Sequence, residues 1–404
     1  MGFRSLATCL LVLAAAVLGA SCATTKVVGE NVQRVVKGQS LDKSGLNQAV
    51  ASDAEVIAAN VQQLRRKFEE ALAQLKTNVQ KRWGQNDTRV AERTVYVKYT
   101  QGYKSRVITD FDHGFLTVET LDDTDPQGSL RSAIVVALLT SNDPASVDLF
   151  TDKDVTLDVD RKPYLYGLVH DRQGKPIRTR EQAEKFARYL VSQQVQTRPL
   201  NAAQDGKVSR FVKLAMVKNF EAKGAERYRA SVEKYSAQYH VSPSLVLAIM
   251  RTESNFNPFA VSGAPAYGLM QLVPTSGGRA GLQRVQGVNQ TPTPEYLLDA
   301  EHNIELGTAY LGVLSDNEFH AVGNQDSRDY CVIAAYNTGP RNVTRTFAND
   351  RMAALNDING LEASALYERL RTKLPFEETR QYVVRVTGYR KQFVNTATAP
   401  AVAM

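Results

Sequence analysis

The chain has 404 residues, 43% of them hydrophobic and 23% charged, with a formal net charge of +7. That is the balance of a globular protein long enough for two or three domains and able to bury a sizeable core. The basic excess would suit a polyanionic surface, but no run of basic residues interleaved with aromatics appears, which argues against a nucleic-acid partner.

Arg4, the apolar run 6–18 and the small residues leading to Cys22 have the charged start, apolar middle and small-residue end of a secretory signal, too short to span a bilayer. Residues 1–21 are therefore expected to be a signal peptide. Leu18-Gly19-Ala20-Ser21-Cys22 resembles a bacterial lipoprotein signal, in which the cysteine becomes the first residue and carries lipid, although Gly19 stands where that signal usually has Leu. No Asp follows Cys22, so the resemblance implies an anchor in the outer membrane. Cleavage after Ala23 at Ser21-x-Ala23 is the alternative and gives a soluble periplasmic product. Residues 22–51 are polar and poor in aromatics, a lipid-anchored tether.

Ser52-x-x-Glu55 offers a capping box for a helix over 53–81, with Val61, Leu64, Phe68, Leu72, Leu75 and Val79 at threes and fours. Strands are expected over 94–100, 105–111 and 115–120, the last two joined by the tight turn Asp112-His113-Gly114. A helix over 130–139, strands over 164–170 and at Ile177 about the 171–176 turn, a helix over 180–194 and a strand over 210–218 complete an α+β domain with a short antiparallel sheet, residues 52–220. Asp148, Asp152, Asp154, Asp158 and Asp160 lack an EF-hand order and read as a solvated face. The five scattered histidines form no HExxH pattern, so neither metal nor cofactor is expected. Beyond a boundary at 220–224 the chain reads as helix, over 225–239, from Ser242, over 296–314 and over 329–337. This gives a mostly α-helical domain over 221–395, with a frayed tail at 396–404. Cys331 sits among apolar neighbours and is expected to be a buried, inert thiol.

The stretch from Ser242 to Gln271 joins a buried helix to a placed carboxylate. Ser242 and Pro243 start the helix, residues 245–250 are continuously apolar, and Val246, Ile249, Met250 and Glu253 share a face. Asn257-Pro258 stops it, which puts Glu253 in the last turn facing a loop. There burial would raise its pKa and fit it to donate a proton to a leaving oxygen, although a surface residue past a core helix has the same pattern.

Four blocks accompany it: Glu253-Ser254-x-Phe256-x-Pro258 with Ser262, Gly268-Leu269-Met270-Gln271, Ala335-Tyr336-Asn337-x-Gly339, and Glu378-Thr379-Arg380-x-Tyr382-Val383. In these the chain resembles the lytic transglycosylases of the lysozyme-like superfamily. Tyr96-Val97-Lys98-Tyr99-Thr100 and Asp143-Pro144-Ala145-Ser146-Val147-Asp148-Leu149 resemble the amino-terminal part of a membrane-bound member of that family. The resemblance implies a lysozyme-like catalytic domain acting on peptidoglycan glycan strands. It implies that Glu253 protonates the glycosidic oxygen between N-acetylmuramic acid and N-acetylglucosamine, then as carboxylate takes the proton of the muramic C6 hydroxyl, which attacks C1 to close a 1,6-anhydro ring without water. Ser262 and Gln271 would contact the sugar, Tyr336 would hydrogen-bond Glu253, Asn337 would hold an N-acetyl oxygen, and Glu378 and Tyr382 would close the site. Gly263, Ala264 and Ala266 would leave room for the strand, while Tyr267, where relatives carry a small residue, would narrow the groove. Val273, where some relatives carry Met, departs from the pattern in a packing contact.

Most glycosidases use two carboxylates. Asp299, Glu301 and Glu305 lie on another expected helix at no evident partner position, so one carboxylate is left to do both jobs. A lysozyme-type hydrolase and a non-enzymatic cell-wall-binding lipoprotein are the alternatives.

Overall fold

The computed structural model describes residues 63, 66–158, 160–200, 206–263 and 266–397. The expected leader, Cys22, the expected tether and the capping box up to residue 62, Leu64, Ala264 and the tail past 397 lie outside these.

The first described helix, α1, covers residues 66–83 and turns Phe68, Leu75, Val79 and Trp83 inward. Five antiparallel strands follow, β1 (Val95–Thr100), β2 (Ser105–Asp110), β3 (Phe115–Thr120), β4 (Gln196–Pro199) and β5 (Val208–Ala215), in the order β1-β2-β3-β5-β4. Val107 pairs with Val118, and Val118 with Val212, which aligns one apolar row across the sheet. Gly114, at φ 68°, turns the chain between β2 and β3 where a Cβ would come 2.7 Å from the Phe220 ring. Helices α2 (Pro126–Leu139) and α3 (Arg180–Gln193) pack together, and α2 lies on β2 and β3.

Several boundaries differ from the sequence reading for local reasons. Helix α2 starts at Pro126 because Asp125 accepts a hydrogen bond from the Gly128 N–H, a cap ahead of the apolar run. Residues 164–170 and 177 form no ladder. Only isolated bridges occur, at Tyr166–Val169 and His170–Pro176, because Tyr164, Leu165, Leu168 and Val169 are drawn into the core from a series of turns. Strand β4 is an exposed edge and so carries no alternating apolar pattern to read. The expected 296–314 helix is two helices, broken where the Asp299 carboxylate accepts from His302 N–H at 2.8 Å.

The remainder is helical: α4 (Phe220–Tyr239), α5 (Pro243–Ser254), α6 (Arg279–Gln286), α7 (Pro294–Leu298), α8 (Ala300–Val313), α9 (Gln325–Thr338), α10 (Pro340–Arg345), α11 (Arg351–Asn359), α12 (Ala363–Lys373) and α13 (Glu377–Ala397). Helix α5 lies between α4 and α13 with residues 244–250 all buried. One apolar core runs through both halves. Phe259 links them, stacked on Tyr96 at 4.3 Å and edge-on to Tyr164 at 5.2 Å.

Buried charge is paired. Arg106 meets Glu119 at 2.7 Å and lies 3.8 Å over the Trp83 ring, while Arg198 reaches both Asp87 and Glu119. Lys98 donates to the carbonyls of Asp148 and Thr151, and burial lowers its ammonium to about 8. The acidic run is thus answered by Lys98, by Lys153 on Asp148 and by Arg161 on Asp143 and Asp158. Cys331 is fully buried and its thiol is pushed up to about 12. Among the described residues no helix is long and apolar enough to cross a membrane, and no group of three or more His, Cys, Asp or Glu is placed to hold a metal.

Candidate active site

Helix α5 begins at Pro243, but Ser242 does not cap it with its side chain. Its hydroxyl pairs with that of Ser244 at 2.8 Å. The helix stops before Pro258 is reached, because Asn255 takes the left-handed conformation, φ 45°, and Phe256 follows at φ 62°. That turn is fastened to the amino-terminal half, Asn255 Nδ2 donating to the Phe111 carbonyl at 2.7 Å and Asn257 Nδ2 to the Arg93 carbonyl at 3.1 Å.

Glu253 therefore stands in the last turn of a buried helix, its side chain 8% exposed at the floor of a cleft of about 870 Å³. Burial pushes its carboxyl from 4.5 to about 7, against the opposing pull of Tyr382, Arg93 and Arg385, with Glu378 adding to the rise. Arg93 Nη1 lies 3.9 Å from Glu253 Oε2 and 3.7 Å from Glu378 Oε1. Ser262, Gln271, Tyr336, Asn337 and Glu378 also line the cleft. A second depression, about 670 Å³, shares Arg93 and Ser262 and runs on between α1, Arg385 and Tyr389.

The loop carrying Gln271 is held rigidly. Tyr267 and Leu272 exchange backbone hydrogen bonds, and Gly268 turns at φ 75°, where a Cβ would fall 2.4 Å from Asn303 Nδ2 and 2.5 Å from the Leu297 carbonyl. Asn303 accepts from Met270 N–H and donates to the Tyr267 and Leu297 carbonyls, and Ser254 Oγ donates to Leu269 O. Gln271, itself at φ 46°, donates from Nε2 to the Ala260 and Gly268 carbonyls. Two carbonyl acceptors fix the orientation of that amide and leave the buried Oε1 without a protein partner.

Tyr336 does not bond Glu253 as expected; its hydroxyl donates to the Met270 carbonyl at 2.8 Å. The phenol acting on Glu253 is that of Tyr382, on the face of α13 that packs against α5. Tyr382 is wholly buried behind the carboxyl, and its hydroxyl closes no hydrogen bond of ordinary length. Asn337 Oδ1 accepts from Thr379 Oγ1 at 2.7 Å, which leaves its NH2 to donate to a ligand oxygen. Tyr267 turns into the core against Phe68 and does not wall the cleft, so it does not narrow it. The other carboxylates are engaged elsewhere: Glu301 with Ser231 and Tyr235, Glu305 with Tyr239, and Asp299 as a helix cap.

A family model described as membrane-bound lytic murein transglycosylase C, N-terminal domain, matches residues 59–227, and the transglycosylase SLT domain matches 230–359. The membrane-bound lytic murein transglycosylase C of Serratia proteamaculans (strain 568) is 41% identical over 326 residues, 81% of this chain and 89% of that protein. The chain belongs to the membrane-bound lytic murein transglycosylase C family. The family's protein from Sodalis glossinidius (strain morsitans) is 40% identical over 81% of this chain and 90% of its own. Among solved structures, the 70 kDa soluble lytic transglycosylase of Escherichia coli aligns with a TM-score of 0.34 and 29% identity, over 42% of this chain and 24% of that one. An inactive mutant of the lytic transglycosylase Slt from Pseudomonas aeruginosa aligns at 0.32 and 31%, over 43% and 25%.

In this member of the transglycosylase C family, sequence reasoning overlooked Arg93 and Asn303, and gave Thr379, inside the fourth block, no role of its own. Arg93 lies just ahead of the expected first strand, and its contact with Glu253 spans 160 positions with no local periodicity to announce it. Asn303 sits on α8 at full burial, a polar residue amid an apolar face, which was a legible signal.

Proposed function

We propose that this peptidoglycan lytic transglycosylase works at the cleft around Glu253, with this one carboxyl serving as acid and then as base. The carrying observation is the buried Glu253 held near 7 at the cleft floor, where protonated and ionised forms are both accessible near neutral pH. In the acid step Glu253 gives its proton to the glycosidic oxygen as the C1–O bond breaks. In the second step the muramic C6 hydroxyl adds to C1 and its proton goes to the Glu253 carboxylate, which restores the enzyme. An internal nucleophile already near C1 has the effective-molarity advantage over water. Gln271 Oε1 would accept an N-acetyl N–H, the Asn337 amide would donate to an N-acetyl oxygen, and Ser262 would lie along the strand. Tyr382 would act through Glu253, and Tyr336 would hold the Met270–Gln271 loop.

The names of the relatives place the family at a membrane; for this chain we propose removal of residues 1–21 and a lipid on Cys22 that anchors it to the outer membrane. Mass spectrometry of muropeptides released from sacculi, by the protein lacking residues 1–23 and by its Glu253→Gln variant, tests the reaction. Products lighter by one water than reducing muropeptides, absent with the variant, are expected. Reducing ends would instead favour a hydrolase in which Glu378, the other carboxylate beside Arg93, steers a water.

A further inference from the structure

We propose that Arg93, carried by the amino-terminal half, is a positioning residue of the catalytic cleft, holding Glu253 and Glu378 on one guanidinium and making the 90–94 segment part of the working site. This rests on the reading of Glu253 as the acid. A single nitrogen, Arg93 Nη1, stands 3.9 Å from Glu253 and 3.7 Å from Glu378, so one side chain from before β1 links α5 to the start of α13. Its backbone is anchored where the catalytic helix ends. The Arg93 carbonyl accepts from Asn257 Nδ2, and Asn257 is fully buried. The side chain itself stays 39% exposed and lines both depressions, so it stands where they meet, in reach of a strand lying in either.

As an exposed ion pair Arg93 would add little to stability. Its leverage is on the buried partner. The charged and titratable groups around Glu253 are Arg93, Glu378, Arg385, Tyr382 and Tyr336. Arg93 favours the carboxylate and offsets Glu378, which favours the acid. Without Arg93, Glu253 keeps its proton to higher pH and Glu378 loses the tether that turns it toward the floor of the cleft. Lysine would restore the charge but not the reach to two carboxylates.

The test is carboxyl carbon NMR titration of Glu253 in the full mature chain, its signal assigned by loss in Glu253→Gln, beside the pH profile of kcat/KM on sacculi. Arg93→Gln should move the titration midpoint and the alkaline limb upward together by roughly half to one pH unit, the size expected for one charge about 4 Å away when the side chain is part-exposed and water screens the pair. Arg93→Lys should keep the midpoint within about 0.3 unit and lower kcat several-fold. A midpoint in Arg93→Gln within about 0.2 unit of wild type, or an Arg93→Lys protein with wild-type kcat, would overturn the proposal. If Glu253→Gln proves active, the acid assignment falls, but the titration still judges the Arg93 contact on its own.

Discussion

Replacing Glu253 with Gln should abolish turnover and stabilise the protein by an amount that grows above pH 4.5 and is full above about pH 7. At about 1.4 kcal/mol per pH unit, a rise from 4.5 to about 7 is worth roughly 3 kcal/mol. The sign follows from proton linkage. Below pH 4.5 Glu253 is protonated folded and unfolded and resembles Gln, so the two proteins should unfold alike. Between 4.5 and 7 the unfolded chain ionises while the folded carboxyl holds its proton, and wild type steadily loses stability relative to the variant. Above 7 the loss is complete. Urea unfolding and thermal melts of both proteins at pH 4.5, 6 and 8.5 read this directly. A gap that opens with pH to a few kcal/mol, several degrees in Tm, is expected. Equal stability at pH 8.5 would refute the claim that burial strains the ionised form, and with it the account of how the acid keeps its proton.

Tyr382→Phe removes a donor that favours the carboxylate, so the alkaline limb of the pH–rate profile should move upward with little change in Tm. Gly268→Ala forces a Cβ at positive φ against Asn303 and the Leu297 carbonyl; denaturant unfolding should show a loss of at least about 2 kcal/mol, with reduced activity as the Gln271 loop shifts. Arg106→Ala strips a buried partner from Glu119, and although Arg198 remains, a loss of about 3 kcal/mol is expected in the same assay.

The sequence made helix α5 legible because burial on all sides and a carboxylate in its last turn are local facts, written at spacings of three and four. The first three strands were legible because Val, Ile, Tyr, Phe and Thr are dense in them, as suits a sheet with apolar clusters on both faces. What stayed hidden depends on partners distant along the chain. The choice between Tyr336 and Tyr382 as the phenol beside Glu253 turns on how α9 and α13 pack against α5 and its loop. The apolar residues at 164–169 looked like a strand because apolarity reports burial without saying whether a neighbouring strand accepts the hydrogen bonds. Helix α5 ended at Asn255 and not at Pro258 because an asparagine in the left-handed region closes a helix as effectively as a proline blocks one.

The aromatic joint at Phe259 bears on how the molecule comes apart. Its ring is clasped by Tyr96 from β1 and Tyr164 from the turns that follow α2, and Phe256, beside it in the chain, packs against Gly224 and Phe393. Halves that share side chains in this way melt together, so a single cooperative transition is the natural behaviour of the described region. A catalytic half excised at the α4 boundary would carry Phe259 and its neighbours into water, and recombination that reused it alone would have to supply a new cover for that face.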